Sequence, residues 1–135
     1  MNQQNEEPKK DGHKQPKVTG IGGVFFYSEN IKETAEWYKN NLGIEINNWG
    51  FCSFLPEQNQ NAGLQWKPFK KESNHFAPSA KEFMINYTVQ NLEALALQLK
   101  ANGVTILDEI ESYDFGKFLH ILDPEGNKIE LWEPA

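Results

Sequence analysis

The feature that most constrains this 135-residue chain is a weak internal repeat. Residues 24–46, VFFYSENIKETAEWYKNNLGIEI, resemble residues 84–106, MINYTVQNLEALALQLKANGVTI. Each copy reads as strand, Asn cap, helix, Gly stop, strand, so one supersecondary unit is built twice. In the first copy Asn30 is placed to cap a helix, with Glu33 three residues on as its capping-box partner. Ile31, Ala35, Tyr38 and Leu42 then share one apolar face, and Gly43 ends the helix. In the second copy Asn91 caps, Leu92, Leu95, Ala96 and Leu99 form the buried stripe, and Gly103 stops it.

The segments after the two helices match as well. Short strands lead to a Trp-x-Pro signature at Trp66-Lys67-Pro68 in the first half and Trp132-Glu133-Pro134 in the second. The second half includes a tight hairpin, in which Asp123-Pro-Glu-Gly126 turns between the apolar strands Phe118–Leu122 and Asn127–Trp132. Each half is therefore a βαβββ unit. The expected organisation is a disordered tail over 1–17 and one domain over 18–134, with module one at 18–68, a polar connection at 69–82 and module two at 83–134.

Composition removes several classes of function. At 15.5 kDa with 39% hydrophobic residues, the chain suits one domain, and its mean hydropathy of −0.66 does not suit a membrane protein. No apolar run approaches the roughly 18 residues of a spanning helix, and the first 17 residues lack a secretory core, so a cytoplasmic chain is expected. Net charge is −6, distributed as +1 over residues 1–17, zero over 18–81 and −7 over 82–135, and arginine is absent. An acidic second half without arginine argues against nucleic acid, whose phosphates need clustered basic groups. Cys52 is the sole cysteine, so no internal disulfide or multi-thiolate zinc site can form. Cys52 reads as a small buried hydrophobe rather than a nucleophile, because no basic residue neighbours it.

The duplicated unit, the run from Glu33 to Gly43 and the run from Asp123 to Leu131 together resemble the vicinal oxygen chelate superfamily. That group contains glyoxalase I, fosfomycin-resistance transferases, bleomycin-resistance proteins and extradiol dioxygenases. The resemblance covers about residues 18–134. It implies an α+β fold in which two βαβββ modules form a curved, eight-stranded mixed sheet, a cup with the helices on its outer face. It also implies a small-molecule site in the cup and a homodimer.

Metal-dependent members of that superfamily draw ligands from the first and last strands of both modules, so that a divalent ion can polarise neighbouring substrate oxygens. By the resemblance, those positions fall here on Gly23, on Leu64 or Gln65, on Met84 and on Glu130. Glu130 alone is retained. No cofactor and no metal site are therefore expected, since a divalent ion takes three or four nitrogen and oxygen ligands.

Glu130 and His120 are the candidate catalytic residues. They lie ten residues apart on the two strands of the hairpin, and a neighbouring carboxylate favours a protonated imidazole, which would make a proton-transfer couple. The plainer reading, and the favoured one for His120, is a half-buried strand residue hydrogen-bonded to its cross-strand neighbour. His13 and His75 read as solvated.

Strand alternation from positions 23 and 84 turns Phe25, Tyr27, Asn86 and Thr88 into the cup, joined by Trp66 and Trp132, while Val24, Phe26, Ile85 and Tyr87 face the helices. For Phe25 and Phe54 a plain core role fits as well. The six cup residues describe an aromatic-walled ligand site. The expected function is metal-free binding of a small polar or aromatic molecule, as in the bleomycin-resistance branch. The alternative is a glyoxalase-like lyase or isomerase using Glu130 with His120 or an atypical metal site.

Overall fold

A computed structural model describes residues 14–42, 44–55 and 63–135. The chain runs β1 (Lys17–Ser28), α1 (Ile31–Leu42), β2 (Cys52–Phe54), β3 (Leu64–Lys70), β4 (Phe83–Gln90), α2 (Leu92–Ala101), β5 (Glu111–Tyr113), β6 (Gly116–Leu122) and β7 (Lys128–Pro134). Among the described residues the strands form one curled mixed sheet in the order β2-β3-β1-β4-β7-β6-β5. The repeat is visible in this order. β1 is parallel to β3 and β4 is parallel to β7, while the two first strands, β1 and β4, pair antiparallel at the centre.

Both helix starts are set by asparagine. The Asn30 side chain accepts from the Glu33 amide at 3.0 Å, and the Asn91 side chain accepts from the Ala94 amide at 3.3 Å. α2 ends where Gly103 takes φ +79 and the Val104 amide returns to the Leu99 carbonyl at 3.0 Å. Gly43 lies outside the described residues, as do residues 1–13 with His13. Of the stripe expected on α1, Ile31, Ala35 and Tyr38 are half-buried, whereas Leu42 is exposed and Thr34 takes its place, bonded to Ser28.

Among the described residues the sheet has seven strands rather than eight. Residues 44–46 were the expected second strand of the first half, but Asn47 diverts the chain there: its side chain accepts from the amides of Trp49 and Phe51, and its own amide bonds the Phe51 carbonyl. A side chain that captures nearby amides in this way competes with strand pairing. The corresponding segment of the second half reaches the sheet through a single bridge, Ile106 to Ile121. The last hairpin forms as its sequence indicates, with the Asp123 carboxylate accepting from the Glu125 and Asn127 amides and Gly126 at φ +84.

Two apolar clusters hold the layers together. Val89, Leu92, Leu119, Ile121 and Leu131 pack α2 onto the second half of the sheet, and Phe25, Phe76 and Met84 form the other cluster. No helix among the described residues is long and apolar enough to cross a membrane.

Candidate functional site

One row of residues crosses the concave side of the sheet. The register places Ser53 opposite Gln65, Gln65 opposite Gly23, Gly23 opposite Asn86, Asn86 opposite Glu130, and Glu130 opposite His120. This corrects one expected position and decides between two alternatives at another. Met84 pairs with Phe25 two residues away and is buried in the core, so Asn86 holds the place assigned to it. Gln65 rather than Leu64 stands beside Gly23. The register shifts in β1 between Val18 and Gly20 and between Ile21 and Gly23, and such irregularities cannot be counted from a helix cap.

Choosing Gln65 reverses the parity of β3. Trp66, expected in the cup, lies on the helix face against Phe26 and Tyr38, with ring centroids 5.3 and 4.8 Å away. Lys67 takes its place in the cup. Tyr27 stacks on Phe76 at 4.1 Å and accepts from the Phe76 amide, so it braces the connection rather than lining the cup. Thr88 bonds Thr19 at 3.0 Å and does not line it either. Phe54 is exposed, and Cys52 sits half-buried on the edge strand β2.

The cup encloses about 310 Å³. Phe25, Phe51, Phe115, Phe118 and Trp132 form its walls, and Ser53, Gln65, Lys67, Asn86 and Glu130 supply its polar groups. Trp132 stacks on Phe118 with an interplanar angle of 3°, and its indole N–H donates to the Phe115 carbonyl at 2.9 Å, which fixes that wall. Of the expected residues, Phe25, Asn86, Trp132 and Glu130 line the cup together. Phe51, Ser53, Phe115, Phe118 and Lys67 are additions. The Gln65 alignment would have found Lys67 by alternation, whereas Phe51 and Phe115 sit beside turns where no alternation operates.

Four side chains are linked in series, of which Asn86 and Glu130 line the cup. Asp108 Oδ2 lies 2.6 Å from His120 Nδ1, His120 Nε2 lies 2.8 Å from Glu130 Oε2, and Asn86 Nδ2 donates to Glu130 Oε1 at 2.6 Å. Asp108 also accepts from the His120 backbone amide at 2.8 Å, gripping the residue at two points. The His120 and Glu130 side chains are only 16% and 13% exposed. Burial alone would lower the His120 pKa, but hydrogen bonds and charge from Glu130 and then Asp108 outweigh it, and the imidazole is held above its ordinary value. Asp108 carries no sequence signature; the Ile106–Ile121 bridge and the Leu107 amide bond to the His120 carbonyl bring it into place.

Asn86 is 2% exposed, and its Oδ1 has no partner among the described residues. That oxygen lies against Gly22. A Cβ added at Gly22 would fall far inside contact distance of it, and 2.8 Å from Trp132 Cε3. Gly22→Ala is therefore expected to cost about 1–3 kcal/mol by overpacking and to displace Asn86 or Trp132 from the cup. Urea denaturation and the Trp132 fluorescence check this, and unchanged stability would mean that Asn86 has another place to go.

The donor set does not suit a divalent ion. The four cross-strand positions hold Gln65, Gly23, Asn86 and Glu130. Both Glu130 oxygens are bonded, Gln65 Oε1 accepts from the Ser53 hydroxyl, and each His120 ring nitrogen faces a carboxylate. Among the described residues no group of three or more His, Cys, Asp or Glu is arranged to hold a metal.

Solved structures share this fold. A methylmalonyl-CoA epimerase from Streptomyces coelicolor, in complex with 2-nitronate-propionyl-CoA, aligns with TM-score 0.64 at 16% identity, over 88% of this chain and 99% of that one. A methylmalonyl-CoA epimerase from Mycobacterium tuberculosis aligns at 0.57 and 25% identity over 87% and 89%. A glyoxalase/bleomycin resistance protein/dioxygenase superfamily member from Vibrio splendidus aligns at 0.56 and 14% over 84% and 97%. No curated protein sequence matches the chain. The sequence profile of one family matches residues 20–131, which take in the repeat, the polar row and the last hairpin, and the chain belongs to that family, the Glyoxalase/Bleomycin resistance protein/Dioxygenase superfamily.

Proposed function

We propose that this protein binds a small molecule with a planar aromatic or apolar body in the cup, and does so without a divalent metal. The observation that carries the reading is a cup of about 310 Å³ with five aromatic walls over a polar row whose one retained carboxylate is already bonded at both oxygens. A concave, mostly apolar cavity with a few fixed polar groups is the usual form of a small-molecule site. The aromatic rings offer area and stacking, and Gln65, Asn86 and Glu130 orient the polar part of the guest.

Calorimetric titration with Zn²⁺, Ni²⁺, Mn²⁺ and Fe²⁺ tests the metal-free half of the reading. The expected outcome is no tight site that depends on Glu130; tight binding abolished in Glu130→Gln would end it. Ligand-detected NMR with a set of aromatic fragments tests the other half, with binding expected in the parent protein and weakened in Trp132→Ala.

The Asp108–His120–Glu130 series supports a second reading, acid–base chemistry of a lyase or isomerase. An imidazolium held between two carboxylates can pass a proton to Glu130 while Asp108 fixes the ring. Two of the compared structures are epimerases. Deuterium exchange at carbon acids incubated with the protein in D₂O separates the readings. Exchange lost in Glu130→Gln would establish the enzyme, and its absence across carbonyl compounds that bind the cup would leave the binder.

A further inference from the structure

We propose that the cup selects an anionic guest, a small aromatic or apolar molecule bearing one carboxylate, and that Lys67 with Gln65 is its anion-binding wall. The inference rests on the reading of the cup as a small-molecule site and adds the charge of the molecule it takes.

Among the described residues two charged side chains line the cup, Lys67 on β3 and Glu130 on β7. The two strands are separated by β1 and β4, three spacings of about 4.8 Å, so the charges stand on opposite walls. Their surroundings differ. Glu130 has its oxygens bonded to His120 and Asn86, and Asp108 is bonded to the same imidazole. Lys128, whose ammonium donates to the His75 carbonyl at 2.7 Å, is close enough to Asp108 and Glu130 to feel both. Both carboxylates at that end are thus bonded to one imidazole and share the field of the Lys128 ammonium.

Lys67 has no such compensation. Among the described residues no carboxylate lies within ion-pair distance of its ammonium, which rests 4.6 Å from the centroid of Phe69. Contact with a ring face is a weak substitute for an anion, and the side chain is half-buried beside apolar walls where water is restricted. The chemistry next to it is also that of a donor. Gln65 Oε1 is occupied by the Ser53 hydroxyl, which turns the amide so that Nε2 is the group with capacity left over; its one bond among the described residues, to the Gly63 carbonyl, is long at 3.4 Å. An ammonium and an amide N–H₂ two residues apart on one strand suit the two oxygens of a carboxylate, and such charge-assisted hydrogen bonds are roughly twice as strong as neutral ones. Most of the acidic side chains of residues 82–135 are exposed rather than lining the cup.

The test uses three probes with one ring system and three charges: 2-naphthoate, 2-naphthamide and 2-naphthylmethylammonium, titrated into the full chain by calorimetry or ligand-detected NMR. The naphthoate is expected to bind about tenfold more tightly than the amide, with the ammonium weakest. Lys67→Met is expected to remove the preference for the naphthoate, and Lys67→Arg to retain it. An amide or ammonium bound as tightly as the naphthoate overturns the proposal while leaving the cup a ligand site, as does a naphthoate affinity untouched by Lys67→Met. If none of the three binds, the small-molecule reading fails with it. The probe series on the unmutated protein decides the matter even if a Lys67 variant folds poorly.

Discussion

Glu130→Ala is expected to lower the unfolding free energy by about 3–5 kcal/mol near pH 6, the range for removing one partner of a buried charged pair. The truncation leaves His120 Nε2 and Asn86 Nδ2 facing a void in a site where both members of the pair are mostly enclosed. Glu130→Gln keeps the shape and loses the charge, so it should be the milder variant. The same pair sets a pH dependence. Because the His120 pKa is raised in the folded chain, the native state holds a proton that the unfolded state releases near pH 6.5. The stabilisation is complete below that value and is lost as pH rises through the native pKa, so stability falls across that window. Urea denaturation from pH 5.5 to 9 should show this fall in the parent, a smaller one in Glu130→Gln and its loss in His120→Gln, where the lowered pKa of His75 acts in the opposite direction. An NMR titration placing the His120 midpoint at or below 6.5 in the parent would contradict the arrangement.

Leu92→Ala is the second large effect, expected at about 2–5 kcal/mol by urea denaturation. Leu92 is 0% exposed at the first turn of α2 and meets Val89, Leu119, Ile121 and Leu131, so its removal opens a cavity where helix and sheet join. Leu97, five residues on, is 71% exposed, and Leu97→Ala should stay within about 0.5 kcal/mol. Equal effects from the two would mean that α2 does not dock as described. The Leu92 variant should also loosen the cup indirectly, because Leu119 and Leu131 flank His120 and Glu130 in sequence and hold β6 and β7 to the core.

Much of this contrast is legible in the chain. The stripe Leu92, Leu95, Ala96 and Leu99 follows from helical spacing, and Leu97 falls off it. The caps at Asn30 and Asn91 and the Asp123 turn are equally local, since each is decided by atoms within about four residues. The same logic misplaced the second strand of the first half, because Asn47 offers its neighbours hydrogen bonds that hydrophobic patterning does not count.

The site divides differently. Glu130 opposite His120 could be read from hairpin length alone, since the turn at Asp123 fixes their register. The row from Gln65 through Gly23 and Asn86 to Glu130 depends on pairing between strands forty or more residues apart. A register shift in β1 moves the ligand row from Met84 to Asn86, and a one-residue choice in β3 exchanges Trp66 for Lys67, because successive side chains point to opposite faces.

By itself, then, the sequence determined the superfamily, the repeated helix and hairpin units and the facing of Glu130 and His120, all of which rest on short-range spacing. Only the tertiary structure decided that Asp108 clamps His120, that Asn86 and Gln65 flank the glycines, and that Lys67 enters the cup. Those facts belong to strand register and loop docking, where one residue of slippage reverses which face a side chain occupies and no local pattern records the outcome.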